Sequence, residues 1–263
     1  MTWRVPKLWG GGECWILGGG PSLPGQFGVP EEVIQKVFDK ELPLNTYSPY
    51  MSAIHEKHVI GVNMAFKIGD WIDMVFWGDK KWYLNNRVEL GEFKGLKVTC
   101  HPHFANGNFQ KENVKSVVKD NAHPVGISSD PSKASWNSNS GAAAISVAAN
   151  MGATKIVLVG FDMKLGADKK QHWHSEYGII QPREPKHLPF HRHLAGFPHI
   201  ARDARHRGIT IINACPDSEI VDFPKMSVAD VLNGVDIPAV VVPTPRQNVS
   251  PRPPQRQGRL HRR

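Results

Sequence analysis

No apolar run in the 263 residues approaches the roughly 20 that a membrane helix needs, so no span is expected. The first twelve residues lack the apolar stretch of a secretory signal. Only three cysteines occur, Cys14, Cys100 and Cys215, too few and too scattered for a disulfide framework or a zinc site. They read as reduced thiols of a cytoplasmic protein. Positive charge is also scarce where folding matters. The formal net charge is +8, but six arginines and no acid or lysine follow Asp236, which leaves +2 for residues 1–236. A strongly basic nucleic-acid-reading face is therefore excluded for the folded part.

What is present suits a globular chain: 40% hydrophobic and 21% charged residues. The organisation expected is a flexible N-terminus over 1–12, one nucleotide-binding domain over 13–237, and a tail over 238–263. The tail combines its arginines with Pro238, Pro243, Pro245, Pro251, Pro253 and Pro254, which exclude a regular helix or central strand. It reads as a solvated extension or a weak, salt-sensitive tether to nucleic acid or another polyanion.

Short apolar runs alternate with helical patterns. Strands are expected at Glu13–Gly18, His58–Asn63, Asp73–Asp79, Gly95–Cys100, Thr154–Gly160 and Gly208–Ala214. Helices are expected at Pro30–Lys40, Gly141–Met151 and Ala195–Arg207, with residues 101–135 mostly loop. Strands separated by helices imply parallel pairing and crossovers. The fold class is thus α/β: a Rossmann-like, open, mostly parallel sheet with helices on both faces. Ligands bind such sheets beyond the carboxyl ends of the strands.

The chemistry-bearing motifs fall at those ends. Gly18-Gly19-Gly20-Pro21-Ser22 follows the first strand; its glycines allow backbone amides to approach a phosphate, and Ser22 can cap a turn or donate to that phosphate. It matches neither the dinucleotide nor the Walker spacing. Asn63 ends the second strand and suits a ribose or base edge, or a helix cap. Asp79 ends the third and can hold a metal, orient a hydroxyl or cap a helix. Asn139-Ser140-Gly141 opens a Gly/Ala helix, whose free amides and positive end suit an anion. Cys215-Pro216-Asp217-Ser218 follows the last strand, as a turn or a further ligand contact.

Seven of the thirteen histidines lie between 172 and 206. Histidine changes charge near neutrality and serves proton transfer. His172-x-His174 and His191-x-His193 also have a metal-binding look, but no carboxylate or thiolate stands at a standard spacing. Most of these histidines are expected on the surface of a lid-like segment over about 164–194, with one or two catalytic.

Together Gly18–Leu23, Gly61–Asn63, Asn139–Met163 and Asn213–Ser218 resemble the bacterial lipooligosaccharide sialyltransferases of the Campylobacter type. They also resemble the related domain of archaeal 6-hydroxymethylpterin diphosphokinases. The likeness covers about residues 13–225, except 101–135 and 164–186. It implies a sialyltransferase-like glycosyltransferase with a nucleotide-activated, CMP-type donor and a hydroxyl-bearing acceptor. Nucleotide contacts would come from Gly18, Gly19, Gly20, Ser22, Asn63, Asn139, Ser140, Gly141, Asp162, Cys215, Pro216 and Ser218. The family's histidine base precedes the last helix and strand; the spacing to Cys215 selects His191, with His187 and His193 in reserve. No metal is implied, and relatives often assemble as homo-oligomers. In the diphosphokinase branch Mg²⁺-ATP would be the donor and Asp79 the metal ligand. A third expectation is a nucleotide- or polyanion-binding protein without catalysis.

Overall fold

The computed structural model describes residues 2–105, 112–122, 125–166, 169–177 and 188–239. His187 and the tail from residue 240 onward lie outside the described residues. The strands, in chain order, are β1 (Glu13–Leu17), β2 (His58–Val62), β3 (Met74–Trp77), β4 (Leu96–Thr99), β5 (Val114–Ser116), β6 (Val118–Asp120), β7 (Lys133–Ser135), β8 (Lys155–Val159) and β9 (Thr210–Asn213). Seven of them form one sheet in the order β5-β4-β3-β2-β1-β8-β9, and every neighbouring pair is parallel. From β1 the chain winds to β5 on one side and to β9 on the other. The switch point therefore lies between β1 and β8, where a crevice opens at the carboxyl ends of an open parallel sheet.

The helices are α1 (Leu23–Gln26), α2 (Glu31–Phe38), α3 (Lys80–Asn85), α4 (Arg87–Glu92), α5 (Ser140–Met151), α6 (Phe190–Leu194), α7 (Phe197–His206) and α8 (Val228–Leu232). Successive strand residues point to opposite faces, which gives two cores. Cys14, Ile16, Ile60, Met74, Ile156 and Leu158 pack with α5 and α7. Trp15, Leu17, Val59, Val75, Val157 and Val159 pack with the 3₁₀ helix Leu44–Ile54, α3 and α8. The central strands β1, β2, β3 and β8 have no solvated face, which is why they read as continuous apolar runs.

Helix α5 lies flat on the sheet because its side chains are small; all ten residues from Ala142 to Met151 are buried. Its polar contacts to distant residues include Ser146 Oγ, which accepts from the amides of Ser128 and Ser135, and Asn150 Oδ1, which accepts from Arg207. Gly152 ends it at φ 99°, a left-handed cap that favours glycine.

Two expectations are refined here. Residues 101–135 are mostly loop, as expected, but not wholly. They supply the edge strand β5, the parallel pair β6–β7 and a 3₁₀ turn at Pro102–Phe104. Three-residue strands in a polar context carry no hydrophobic period to read. Nor does residue 2–12 hang free. Val5 and Trp9 are buried, the Trp9 amide donates to Met151 O, and the Trp9 ring stacks on His58 with centroids 4.9 Å apart. Isolated tryptophans in a Gly/Pro context gave no local sign of this packing.

Candidate functional site

A cleft of about 550 Å³ opens at the carboxyl ends of the central strands. Each strand exit contributes: Gly18 after β1, Val62 and Asn63 at the end of β2, Gly78 and Asp79 after β3, His101 after β4, and Gly160 and Phe161 after β8. The other wall is Ser138, Asn139, Ser140 and Gly141 at the start of α5, with Lys80, Lys119, Trp136, Met163 and His193 around the rim. Of the residues expected to bind nucleotide, the cleft gathers Gly18, Asn63, Asn139, Ser140 and Gly141.

The start of α5 is shaped by its preceding turn. Asn137 and Ser138 both take left-handed backbone, at φ 44° and 62°. Gly196 packs on the Asn137 side chain, whose amide donates to Gly126 O. Asn139 caps the helix, its Oδ1 accepting from the Ala142 amide at 2.6 Å. The first-turn amides of Ser140 and Gly141 are left free of intrahelical acceptors, and the positive end of the helix faces the cleft.

Two of the buried polar atoms without partners belong to residues that line the cleft. Asn139 Nδ2 is a donor and Asn63 Oδ1 an acceptor, and neither meets a group among the described residues. Asn63 is itself left-handed, at φ 53°. Native proteins seldom leave such groups unpaired, and two of them on the wall of one cleft are open to a ligand.

The remaining glycine-loop residues have a different role. Cβ atoms on Gly18 and Gly20 would stand 2.6 and 2.7 Å from Gly160 O. These glycines let the exits of β1 and β8 touch. Gly19 packs on His172, whose Nδ1 lies 3.1 Å from Gly19 O. Gly19, Gly20 and Ser22 do not line the cleft. Asp162 is also outside it, buried, with Oδ2 unpartnered; burial pushes its carboxyl above the usual range, against the pull of neighbouring Ser22.

The turn after β9 is an anchor. The Cys215 thiol accepts from the amides of Gly160 and Phe161 and from Ser22 Oγ. Burial raises its pKa to about 11, so it stays a neutral thiol. Ser218 Oγ donates to Phe161 O at 2.6 Å, and Pro216 is exposed. Cys215 and Ser218 thus hold the β8 exit in place, and neither they nor Pro216 line the cleft.

Among the described histidines of this stretch, His191 and His206 are exposed and His172, His193 and His199 part-buried, as expected of a mostly surface set; His174 is buried. His172 and His174 stack on each other at 5.4 Å in the segment that packs on the glycine turn, and burial lowers both pKa values. Trp173 between them is buried and donates to Gly18 O. His191 is exposed on α6 and does not line the cleft, whereas His193 does. Burial, then Arg192 and His191, bring the His193 pKa down to about 4, so its ring is neutral at pH 7. His101 is also held below its usual value, by burial first and Lys119 next. Asp79 lines the cleft while its Oδ1 caps α3, accepting from the amides of Lys81 and Trp82. Among the described residues no three His, Cys, Asp or Glu side chains gather as a metal site, and no helix is long and apolar enough to cross a membrane.

Lys80, Lys119, His101 and Trp136 are lining residues that sequence reasoning missed. Lys119 Nζ lies 3.6 Å from the Trp136 ring centroid. A strand-end histidine (His101 after Cys100) was the one available signal.

No protein-family model and no curated protein matches the sequence. Solved structures do. The MAf glycosyltransferase from Magnetospirillum magneticum AMB-1 is similar at 12% identity and a TM-score of 0.53, over 89% of this chain and 36% of that one. This chain thus spans about a third of that protein's length. The sialyltransferase CstII from Campylobacter jejuni in complex with CMP aligns at 14% identity and a TM-score of 0.43, over 82% of this chain and 85% of that one. The similarity to the MAf enzyme establishes a shared α/β fold.

Proposed function

We propose that this chain is a transferase for a nucleotide-activated donor, a sialyltransferase-like glycosyltransferase with a hydroxyl acceptor and His193 as general base. The observation that carries this is the meeting, in one cleft, of the α5 start, the orphaned Asn63 and Asn139 atoms, and a neutral histidine.

The donor phosphate sits at the amides of Ser140 and Gly141, where helix N-termini hold anions. Asn63 Oδ1 takes a hydroxyl or amino proton of the ribose or base, and Asn139 Nδ2 donates to the nucleotide. The acceptor hydroxyl gives its proton to His193 as its oxygen bonds to the anomeric carbon. The bond from that carbon to the phosphate oxygen breaks, and the nucleotide leaves with the electron pair. Fixed amides meet the charge that develops there. A base of this kind contributes roughly 10²–10⁴-fold. The imidazolium formed would lie near the departing phosphate, which raises its pKa from the value of the empty cleft.

The choice of His193 replaces the His191 that spacing alone selects. The test is a melting series with CMP, CTP, UDP, GDP and ATP. A ligand at 100 times its Kd stabilises by about 2.7 kcal/mol. Asn139→Ala should remove that shift; the absence of a shift with any nucleotide overturns the proposal.

A second reading, a Mg²⁺-ATP diphosphotransferase, rests on Asp79 facing the same cleft. One of its oxygens is engaged by α3, and the other is the available metal ligand. Dependence of nucleotide binding on Mg²⁺ separates the two.

A further inference from the structure

Two lysines on the β3–β4 side of the cleft have no part in the scheme above. Lys80 opens α3, and Lys119 lies in β6. Both line the cleft, and among the described residues neither pairs with a carboxylate. The start of a helix disfavours a cation, so helix stability does not account for Lys80. The one carboxylate in the lining is Asp79, already engaged through Oδ1. The lining histidines, His101 and His193, have depressed pKa values and add little charge at neutral pH, so the sign of the wall is set by two lysines against one carboxylate.

The position of Lys119 is built. Its Nζ rests 3.6 Å from the Trp136 ring centroid. That ring packs on Gly78, where a Cβ would stand 2.1 Å from Trp136 Cζ3 and 3.2 Å from Ser140 Oγ. One indole therefore separates the lysine from the start of α5. An anion bound at Ser140 and one bound at Lys119 would be neighbours on either side of it.

We propose that Lys80 and Lys119 form a second anion subsite, which takes a phosphoryl group distinct from the one held at the start of α5. The proposal deepens the transferase reading, on which the identity of the first phosphate rests. The second phosphoryl group is either the distal phosphate of a nucleoside diphosphate donor or a phosphate carried by a separate molecule, the acceptor.

Calorimetric titration of the full chain with CMP, CDP and inorganic pyrophosphate tests this. Pyrophosphate should bind, and Lys80→Gln with Lys119→Gln should weaken it at least tenfold, while Lys7→Gln with Lys94→Gln, which removes the same charge at exposed positions outside the cleft, leaves it within twofold. If CDP binds at least tenfold tighter than CMP, and the double variant erases only that advantage, the donor supplies the group. If CDP gains nothing, but phosphate binds the CMP-saturated protein with the same lysine dependence, the acceptor supplies it. Pyrophosphate binding that needs the lysines, without any nucleotide binding, would sink the nucleotide reading and leave the subsite standing. A double variant that binds pyrophosphate as the parent does, with unchanged near-ultraviolet circular dichroism, overturns the proposal, as does a parent that binds no pyrophosphate. The single variants, both on partly exposed side chains, guard against a folding defect in the double.

Discussion

Gly20 and Asp162 meet with no room between them: a Cβ on Gly20 would stand 1.9 Å from Asp162 Oδ2 and 2.7 Å from Gly160 O. The glycine run is thus tied to the carboxylate at the exit of β8. Gly20→Ala should destabilise the protein by about 1–3 kcal/mol, the usual cost of overpacking. In an Asp162→Ala background the same change should cost less. Urea unfolding of the four proteins of that cycle measures it; an equal cost in both backgrounds would assign the limit to Gly160 O alone.

His193→Ala should lower kcat roughly 10²–10⁴-fold and leave nucleotide affinity within a few-fold. His191→Ala, on the exposed side of α6, should leave kcat within about threefold, the scale of a surface change. Single-turnover measurements with saturating donor separate the two. A large loss at His191 alone would return the base to the residue that spacing selects.

The acidic limb of kcat/KM reports the free protein. With the His193 pKa at about 4, that limb should fall well below pH 6.5. The same depression has a consequence for folding. Between about pH 6.5 and 4 the unfolded chain protonates this histidine and the folded chain does not, so stability declines as pH falls through that window. Above it the residue contributes nothing, and His193→Gln should flatten the decline. Thermal melts from pH 4 to 8 supply the comparison.

Asp79→Ala removes the α3 cap and should cost about 0.5–2 kcal/mol, whereas Asp79→Asn keeps a capping oxygen and should cost much less. Under the glycosyltransferase reading Asp79→Asn retains activity, and EDTA has no effect. Loss of activity in both conditions, with melting temperature preserved, would favour the Mg²⁺-dependent alternative.

The central strands were legible because they are apolar on both faces, and the α5 start because Asn139-Ser140-Gly141 joins a cap to small residues. Other parts were ambiguous for physical reasons. A glycine that admits a phosphate and one that admits a neighbouring carboxylate look alike in sequence, and Gly20 is the second kind. Cys215 and Ser218 point their polar atoms at the backbone of Gly160 and Phe161, an arrangement formed only when β8 and β9 are paired. His191 and His193 are two residues apart, so on a helix they face about 200° away from each other. Spacing to a later motif cannot choose between those faces; packing of α6 does. Lys119 and Trp136 come from short strands and turns with no period, and they meet only through the third dimension.

Ten consecutive buried residues fix α5 along its whole length, from Ala142 to Met151. The donors at its head cannot retreat without dragging the sheet with them. A ligand arriving there encounters dipoles oriented during folding, so little freedom is lost at that end on association. Adaptation to differently shaped molecules must come from the opposite rim, where His101, Lys119 and His193 sit on turns and short elements. The cleft therefore has one jaw set by the sheet-packed helix and one assembled from short elements, and selectivity for the common part of a ligand would reside in the former.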